Sequence, residues 1–329
     1  MRLRLARNRI AIYLAVAVLG ALCAFAPTPY SLILPGHAVD LGDVVSLTGV
    51  SPQTHLYLTD VRFATRVTPL ELLSAFVPGV RVIRTEAVMP RGITISQYED
   101  AQRQAMSESQ SIAAAVAERA AGYRVAAPRS RVMVLYFASD AFASRVLRRL
   151  DVIAAINGRP VFTNAQLAAT MRGIKAGSVV RVAVLRRGAA RSFPVRTSSF
   201  RGRTVLGTYL TTIYEAPHLP VAVHYHLPHV AGSSGGLMFA LEIYRSLKRA
   251  PLPRDFRIAG TGTIAYDGTV GPIEGATQKV AAAHSAGATL FLVPAENYAE
   301  VSATPGIHVV PVATFADALK AVASATTPQ

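Results

Sequence analysis

An uncharged apolar run from Ile10 to Ala26, preceded by Arg2, Arg4, Arg7 and Arg9 and closed by Pro27, constrains this 329-residue chain more than any other stretch. Seventeen residues stand at the short end of what crosses a bilayer as a helix. Arginines on the N-terminal side hold that end in the cytoplasm and send everything after the run outside. The expectation is therefore a cytoplasmic N-terminus and single-pass cell-membrane anchor over residues 1–30, with extracytoplasmic soluble domains. A cleaved signal peptide is the competing reading, because Ala24-Phe25-Ala26 has the small-x-small pattern, but Pro27 directly after it opposes cleavage. Leu22 before Cys23 is too bulky for a lipidation site.

Beyond the anchor, the length suits two or three soluble domains, which makes an α+β multidomain chain the expected class. The formal charge of +15 is almost wholly arginine, since the only lysines are Lys175, Lys248, Lys279 and Lys320. No helix-turn-helix, RNP aromatic pair or Cys/His finger accompanies that charge, so a basic face near anionic lipid is preferred to nucleic acid. Cys23 is the single cysteine, which excludes an intrachain disulfide and a cysteine metal cluster.

Residues 31–122 read as membrane-proximal strands and helices without a recognisable site. Extended segments are predicted at Val44–Leu47 and His55–Phe63, Thr68 as the cap of a short helix through Phe76, and a longer helix from Ser96 to about Ala121. From Tyr123 the pattern changes to short strands around turns: Val132–Tyr136, Val152–Ile156, Asn157-Gly158, Val179–Leu185 and Arg187-Gly188, with a helix from Thr163 to Met171. Ser139-Asp140-Ala141, Leu147, Asp151-Val152-Ile153 and Ile156-Asn157-Gly158-Arg159-Pro160-Val161 resemble a PDZ domain, with Asp140 and Leu150 replacing the usual proline and glycine. The resemblance implies a small β-barrel over 123–200 whose strand around Val132, Met133 and Val134 accepts an extended peptide. A barrel that only spaces the next domain from the membrane fits the same residues.

Residues 201–329 carry the chemistry. Gly232-Ser233-Ser234-Gly235-Gly236 precedes the apolar helical run Leu237–Leu247, placing a serine where unpaired N–H groups and the helix dipole favour an oxyanion. Downstream lie Thr261-Gly262-Thr263-Ile264 and Gly271-Pro272-Ile273-Glu274-Gly275-Ala276-Thr277-Gln278-Lys279. Together these blocks resemble the α/β proteolytic domain of Lon-type peptidases. The resemblance assigns Ser234 as nucleophile and Lys279 as its base, with Thr261 orienting the lysine and Ser233 and Gly235 shaping the oxyanion loop. Here Ser233, Gly235 and Glu274 replace the family's proline, alanine and first paired glycine. The order of anchor, PDZ-like domain and Lon-type domain looks like the membrane-anchored YlbL-like peptidases. No G-x-x-x-x-G-K-(S/T) stretch occurs, so ATP-independent hydrolysis of protein or peptide substrates is expected, without cofactor or metal.

Rival readings use the same residues. Gly232-x-Ser234-x-Gly236 fits a hydrolase nucleophile elbow, with Asp255 or Asp267 and His284 or His308 as partners. His224, His226 and His229 lie close enough in sequence to suggest a metal, although no carboxylate or cysteine is near. A chain that keeps the peptidase-like domain only to bind protein partners at the membrane is the non-enzymatic alternative. Monomer and homo-oligomer both stay open.

Overall fold

The computed structural model describes all residues except 1–12, 15, 19, 51–54, 66, 78, 89–93, 127–128, 139–140, 201, 215–218, 228–231, 251, 254–255 and 327–329. Much of the expected anchor therefore lies outside the described residues. The described positions between 13 and 25 are helical, and Tyr13, Leu14, Val16, Val18, Leu22 and Phe25 are exposed. Among the described residues no helix is long and apolar enough to cross a membrane.

The next hundred residues begin with β1 (Tyr30–Asp40), β2 (Val45–Leu47), β3 (Leu56–Ala64) and β4 (Arg81–Arg84). Where a short helix was expected after Thr68 there is a 3-10 turn, Glu71–Phe76; the Thr68 hydroxyl accepts from the Glu71 N–H at 3.2 Å. Helix α1 (Ile95–Ala120) starts one residue before its expected position. Thr94 caps it, accepting from the Gln97 N–H, while the Gln97 side chain accepts from the Thr94 N–H, and this reciprocal box fixes the first turn. Met106, Ile112, Ala113, Val116 and Ala117 form its buried stripe, and the small alanines allow a second helix to approach closely.

A small β unit follows, made of β5 (Ser130–Phe137), β6 (Val152–Ile156), β7 (Arg159–Pro160), helix α2 (Asn164–Met171), β8 (Val179–Arg186) and β9 (Ala189–Arg196). After the hairpin β10 (Ser198–Phe200) and β11 (Arg203–Val205), the chain returns as β12 (Thr208–Tyr214) and completes the order β12-β5-β6-β8-β9. The unit thus runs to residue 214 rather than 200. Val132, Val134, Ile153, Ile156, Leu167, Val180 and Val182 fill its core. Asp151 is buried and receives Arg186 Nε and Nη2, each at 2.8 Å. Burial alone would raise the Asp151 pKa; the Arg186 guanidinium and the Arg148 N–H outweigh it and hold the carboxyl below its ordinary range.

The remaining chain supplies β13 (Val223–Tyr225), α3 (Gly236–Lys248), β14 (Ile258–Gly260), β15 (Thr263–Ile264), β16 (Val270–Gly271), α4 (Ala276–Ser285), β17 (Leu290–Pro294), β18 (His308–Val312) and α5 (Phe315–Thr326). Apart from the short antiparallel pair β15-β16, its strands do not form a sheet of their own. The main sheet has the order β18-β17-β14-β3-β1-β4, so half of it comes from the stretch expected to be a membrane-proximal spacer. β14 lies parallel to β3, with Ile258 opposite Leu56 and Gly260 opposite Leu58, while β1 and β4 continue antiparallel. The expected boundary at 122 fails for a physical reason: β14 is buried, and without β3 its backbone groups on that side would be unpaired.

Helices cover both faces of this sheet. Leu56, Leu58, Met106, Ile112, Leu237, Phe239 and Leu241 join α1 and α3 to one face. On the other, Ala276, Val280 and Ala283 of α4 pack with Ala259, Phe291 and Val309.

The Leu150 position, where the resemblance called for glycine, has φ 66° and an exposed side chain. A branched residue in the left-handed region is strained by roughly 1–2 kcal/mol. Leu150→Gly is expected to stabilise the chain by about 1 kcal/mol, less than the strain because glycine gives the unfolded chain more freedom. Urea unfolding monitored by circular dichroism checks it; a lower midpoint would be the wrong sign.

Candidate active site

The loop 232–235 connects β13 to α3 and is held from three sides. The Gly232 N–H donates to the Gln102 carbonyl at 3.0 Å, and the Ser109 hydroxyl donates to the Ser233 carbonyl at 3.0 Å. The Ser234 carbonyl accepts from the Gly262 N–H at 2.8 Å and from the Thr261 hydroxyl at 3.1 Å. Helix α1 and the strand end after β14 therefore fix the backbone on either side of Ser234. Gly235 caps α3 without a side chain, and a Cβ there would lie 2.9 Å from Leu58 Cδ1 and 3.0 Å from Phe239 Cε2. The expected alanine has no room unless those side chains move, which explains the glycine.

Lys279 reaches this loop from the opposite face of the sheet's rim. It sits in the first turn of α4, which starts from Gly275 at φ 74°, packed against Ile33 of β1 and Val61 of β3. Its Nζ lies 2.6 Å from Ser234 Oγ and 3.1 Å from Thr261 Oγ1. Lys279 is 2 % exposed and Thr261 fully buried, whereas Ser234 is half-buried and keeps access to solvent. Burial lowers the Lys279 pKa from the 10.5 of an ordinary lysine to about 8; Asp60 opposes the shift only in part. The Thr261 proton is committed to the Ser234 carbonyl, so its oxygen accepts from Nζ and turns the amine's lone pair toward Ser234 Oγ.

Ser234, Lys279 and Thr261, expected together, are together, with Ser233 and Gly235 beside them. Val132, Met133 and Val134 are elsewhere, and the groove expected on them is corrected by the sheet order. β5 is paired by β12 on one side and β6 on the other, and Val132 and Val134 are fully buried, so no edge is free to accept a peptide. The unpaired outer edge next to α2 belongs to β12, where Asn164 already donates to the Leu210 carbonyl at 3.3 Å.

The rival sets do not assemble. His284 is exposed beside Gly306, His308 is exposed on β18, and Asp267 folds back on the Thr269 N–H at 2.9 Å; Asp255 and His229 lie outside the described residues. His224 approaches the Thr48 hydroxyl at 3.4 Å, and the His226 N–H bonds the Val44 carbonyl at 2.8 Å. Among the described residues no three His, Cys, Asp or Glu side chains are grouped to hold a metal.

Sequence reasoning missed the contribution of α1. Gln102 and Ser109 lie two turns apart on one face of it, and both hold the serine loop, Gln102 by its backbone carbonyl and Ser109 by its hydroxyl. Beside the loop opens a cleft of about 370 Å³, walled by Glu108 and Ile112 of α1, Thr211 and Tyr214 of β12, Ser233 and Thr263.

Residues 200–323 match the family described as Lon protease (S16) C-terminal proteolytic domain. The chain is 35% identical over 92 residues to the Lon protease of Heliobacterium modesticaldum, covering 27% of this chain and 11% of that protein. It is 40% identical over 87 residues to Lon protease 1 of Sorangium cellulosum, covering 25% and 10%. The chain thus spans only about a tenth of the length of these relatives. Among solved structures it is similar to the PDZ domain of an SdrC-like protein from Listeria monocytogenes, at 19% identity and a TM-score of 0.24, covering 27% of this chain and 93% of that one. The corresponding Listeria innocua domain gives 18% and 0.23, covering 24% and 92%. The C-terminal part of the chain carries the proteolytic domain of Lon-type serine peptidases, whose chemistry runs on a serine and a lysine.

Lys279 also sets a stability expectation. Below about pH 8 the lysine is protonated both folded and unfolded, and the fold bears the whole cost of burying the charge. Between about 8 and 10.5 only the unfolded chain holds the proton, so stability rises with pH. Lys279→Met is expected to gain up to about 3 kcal/mol at pH 7, less whatever its lost hydrogen bonds cost, with the gain gone above pH 10.5. Thermal unfolding of both proteins across that range checks it; a pH-independent difference would contradict the burial argument.

Proposed function

We propose that this chain is a membrane-anchored, ATP-independent serine endopeptidase in which Ser234 is the nucleophile and Lys279 the general base. The observation that carries the reading is the 2.6 Å contact between a buried, pKa-lowered amine and a hydroxyl on a loop at a helix N-terminus. A serine hydroxyl is a poor nucleophile until its proton leaves, and a lysine accepts that proton only when neutral. At about pH 8 half of Lys279 is neutral, far more than for a free lysine.

The steps balance on this pair. Ser234 Oγ bonds to the carbonyl carbon of the peptide as its proton passes to Lys279 Nζ. The carbonyl oxygen takes the negative charge at the positive end of α3, next to Ser234 and Gly235. When the C–N bond breaks, the ammonium returns the proton to the leaving amine, and the ester remains on Ser234. Water then bonds to the ester carbon as its proton passes to Lys279 Nζ, and when the C–Oγ bond breaks the ammonium returns that proton to Ser234 Oγ, releasing the acid. Thr261 holds Nζ in line throughout, its own proton fixed on the Ser234 carbonyl.

In this reading the YlbL-like order of parts describes the whole chain. The run over residues 10–26 is the anchor and the soluble units lie outside the cytoplasm, supported by the arginines before Ile10 and the exposed apolar residues between 13 and 25. The small β unit selects protein substrates at the open edge of β12. Without an ATP-driven unfolding module, the substrates are extended or unfolded segments. Protease added outside intact cells, with their envelope opened where necessary, should degrade the soluble part; its full protection would place it on the other side.

Ser234→Ala, Lys279→Ala and the double variant are expected to lose peptide hydrolysis to similar extents, because each half of the pair is useless alone. Lys279→Arg should fail as well, since a guanidinium stays protonated. In the parent, kcat/KM should rise with pH to a midpoint near about 8, reporting deprotonation of Lys279. Near-parental turnover by Lys279→Arg, or a profile flat from pH 6 to 9, would refute the dyad.

A further inference from the structure

The cleft beside the serine loop has walls from three separate parts of the chain. Helix α1 gives Glu108 and Ile112, β12 gives Thr211 and Tyr214, and the loop and strand flanking the dyad give Ser233 and Thr263. Its volume of about 370 Å³ falls in the range of ligand clefts. Its position follows from one hydrogen bond and one peptide link: Ser109, next to Glu108, holds the Ser233 carbonyl, and Ser233 precedes the nucleophile. The cleft therefore opens one residue along the chain from the nucleophile, its own walls including Ser233 but not Ser234 or Lys279.

Among the described residues that line it, Glu108 is the only carboxylate and none is an arginine or lysine. The Thr211 hydroxyl donates to its Oε2 at 3.4 Å, a long contact that leaves most of the carboxylate's acceptor capacity unused. Among the described residues no arginine or lysine forms an ion pair with it. The rest of the wall is hydroxyl or apolar apart from the amide of Asn164, with Ile112, Ile264 and Tyr214 able to cover the methylene stem of a long side chain.

We propose that Glu108 makes this cleft a subsite for a basic side chain, arginine or lysine, flanking the bond to be cut. The proposal rests on the peptidase reading and adds to it a substrate class. The carboxylate accepts the N–H groups of the guanidinium or ammonium, and the hydroxyls of Thr211 and Thr263 take the remaining donors. The selection is local, because a chain with a formal charge of +15 repels cationic peptides at long range. Glu108 belongs to α1, outside the residues 200–323 that match the peptidase family. Desolvation raises the Glu108 pKa to about 7, the Thr211 bond opposing it, as befits a carboxylate with no counter-charge until a cation arrives.

Binding separates this subsite from catalysis. In the full chain carrying Ser234→Ala, a short fluorescein-labelled host peptide of Ala, Val and Ser is scanned with a single Arg or its neutral isostere citrulline at each position. Fluorescence anisotropy at pH 8 should show at least one position where Arg binds about tenfold or more tightly. Glu108→Gln, which still accepts from Thr211, should bring the Arg-to-citrulline ratio to within about twofold, and Glu108→Lys should invert it toward Glu-bearing peptides. Equal binding of Arg and citrulline at every position, or a preference that survives Glu108→Gln, would overturn the proposal, and the first result needs no folded variant. Failure of the parent to cleave any of these peptides would count against the peptidase reading instead, since the binding ratio is read on a chain without its nucleophile.

Discussion

The parallel pairing of β3 with β14 is the contact on which the rest of this structure depends. It joins residues 202 positions apart into one sheet and gives α4 a floor made of β1 and β3. Lys279 is dry because that floor exists, and its pKa falls because it is dry. On the other face the same sheet carries α1 and α3, which hold the serine loop by Gln102, Ser109 and the helix start. The 2.6 Å contact between Nζ and Oγ is thus the meeting of two layers, each positioned by the sheet between them.

Departures from the expected motif are absorbed by neighbours rather than left as gaps. At Gly235 the missing methyl is replaced by Leu58 and Phe239, a volume exchange of the kind a close-packed interior requires. Ser233 stands where a proline was expected, and its carbonyl is held by Ser109 instead of by ring rigidity. Glu274 takes an exposed position, while Gly275 keeps the one conformation that demands glycine, φ 74° at the start of α4. Leu150 is the opposite case, since its strain is borne without visible compensation.

Much of the site was legible because its chemistry is written locally: a small-residue loop before an apolar helix, then a lysine within a recognisable block. The helix expected from Ser96 and the strands of the small β unit were legible for the same reason, through helical spacing, turn pairs and alternation. What escaped were pairings between distant strands. β1 and β4 carry no alternation strong enough to reveal a sheet whose other half lies beyond residue 257. The interior position of β5 was hidden likewise, because an apolar strand reads the same whether its edge is open or taken by β12. Glu108 carries no signal of its own in the sequence, because β12 and the serine loop form the cleft around it only in the fold.

The split sheet has a consequence for how such a chain comes into being. Strands β1, β3 and β4 leave the ribosome long before β14, β17 and β18, and the small β unit, whose own sheet lies wholly within residues 130–214, intervenes. That unit is able to fold while the N-terminal strands wait with an open edge for partners still being made. The dyad cannot assemble earlier, since Lys279 needs the floor of β1 and β3 and the loop needs α1. The contact between Ser234 and Lys279 therefore forms only after residue 279 has been made, and a product truncated before it carries the serine without the lysine.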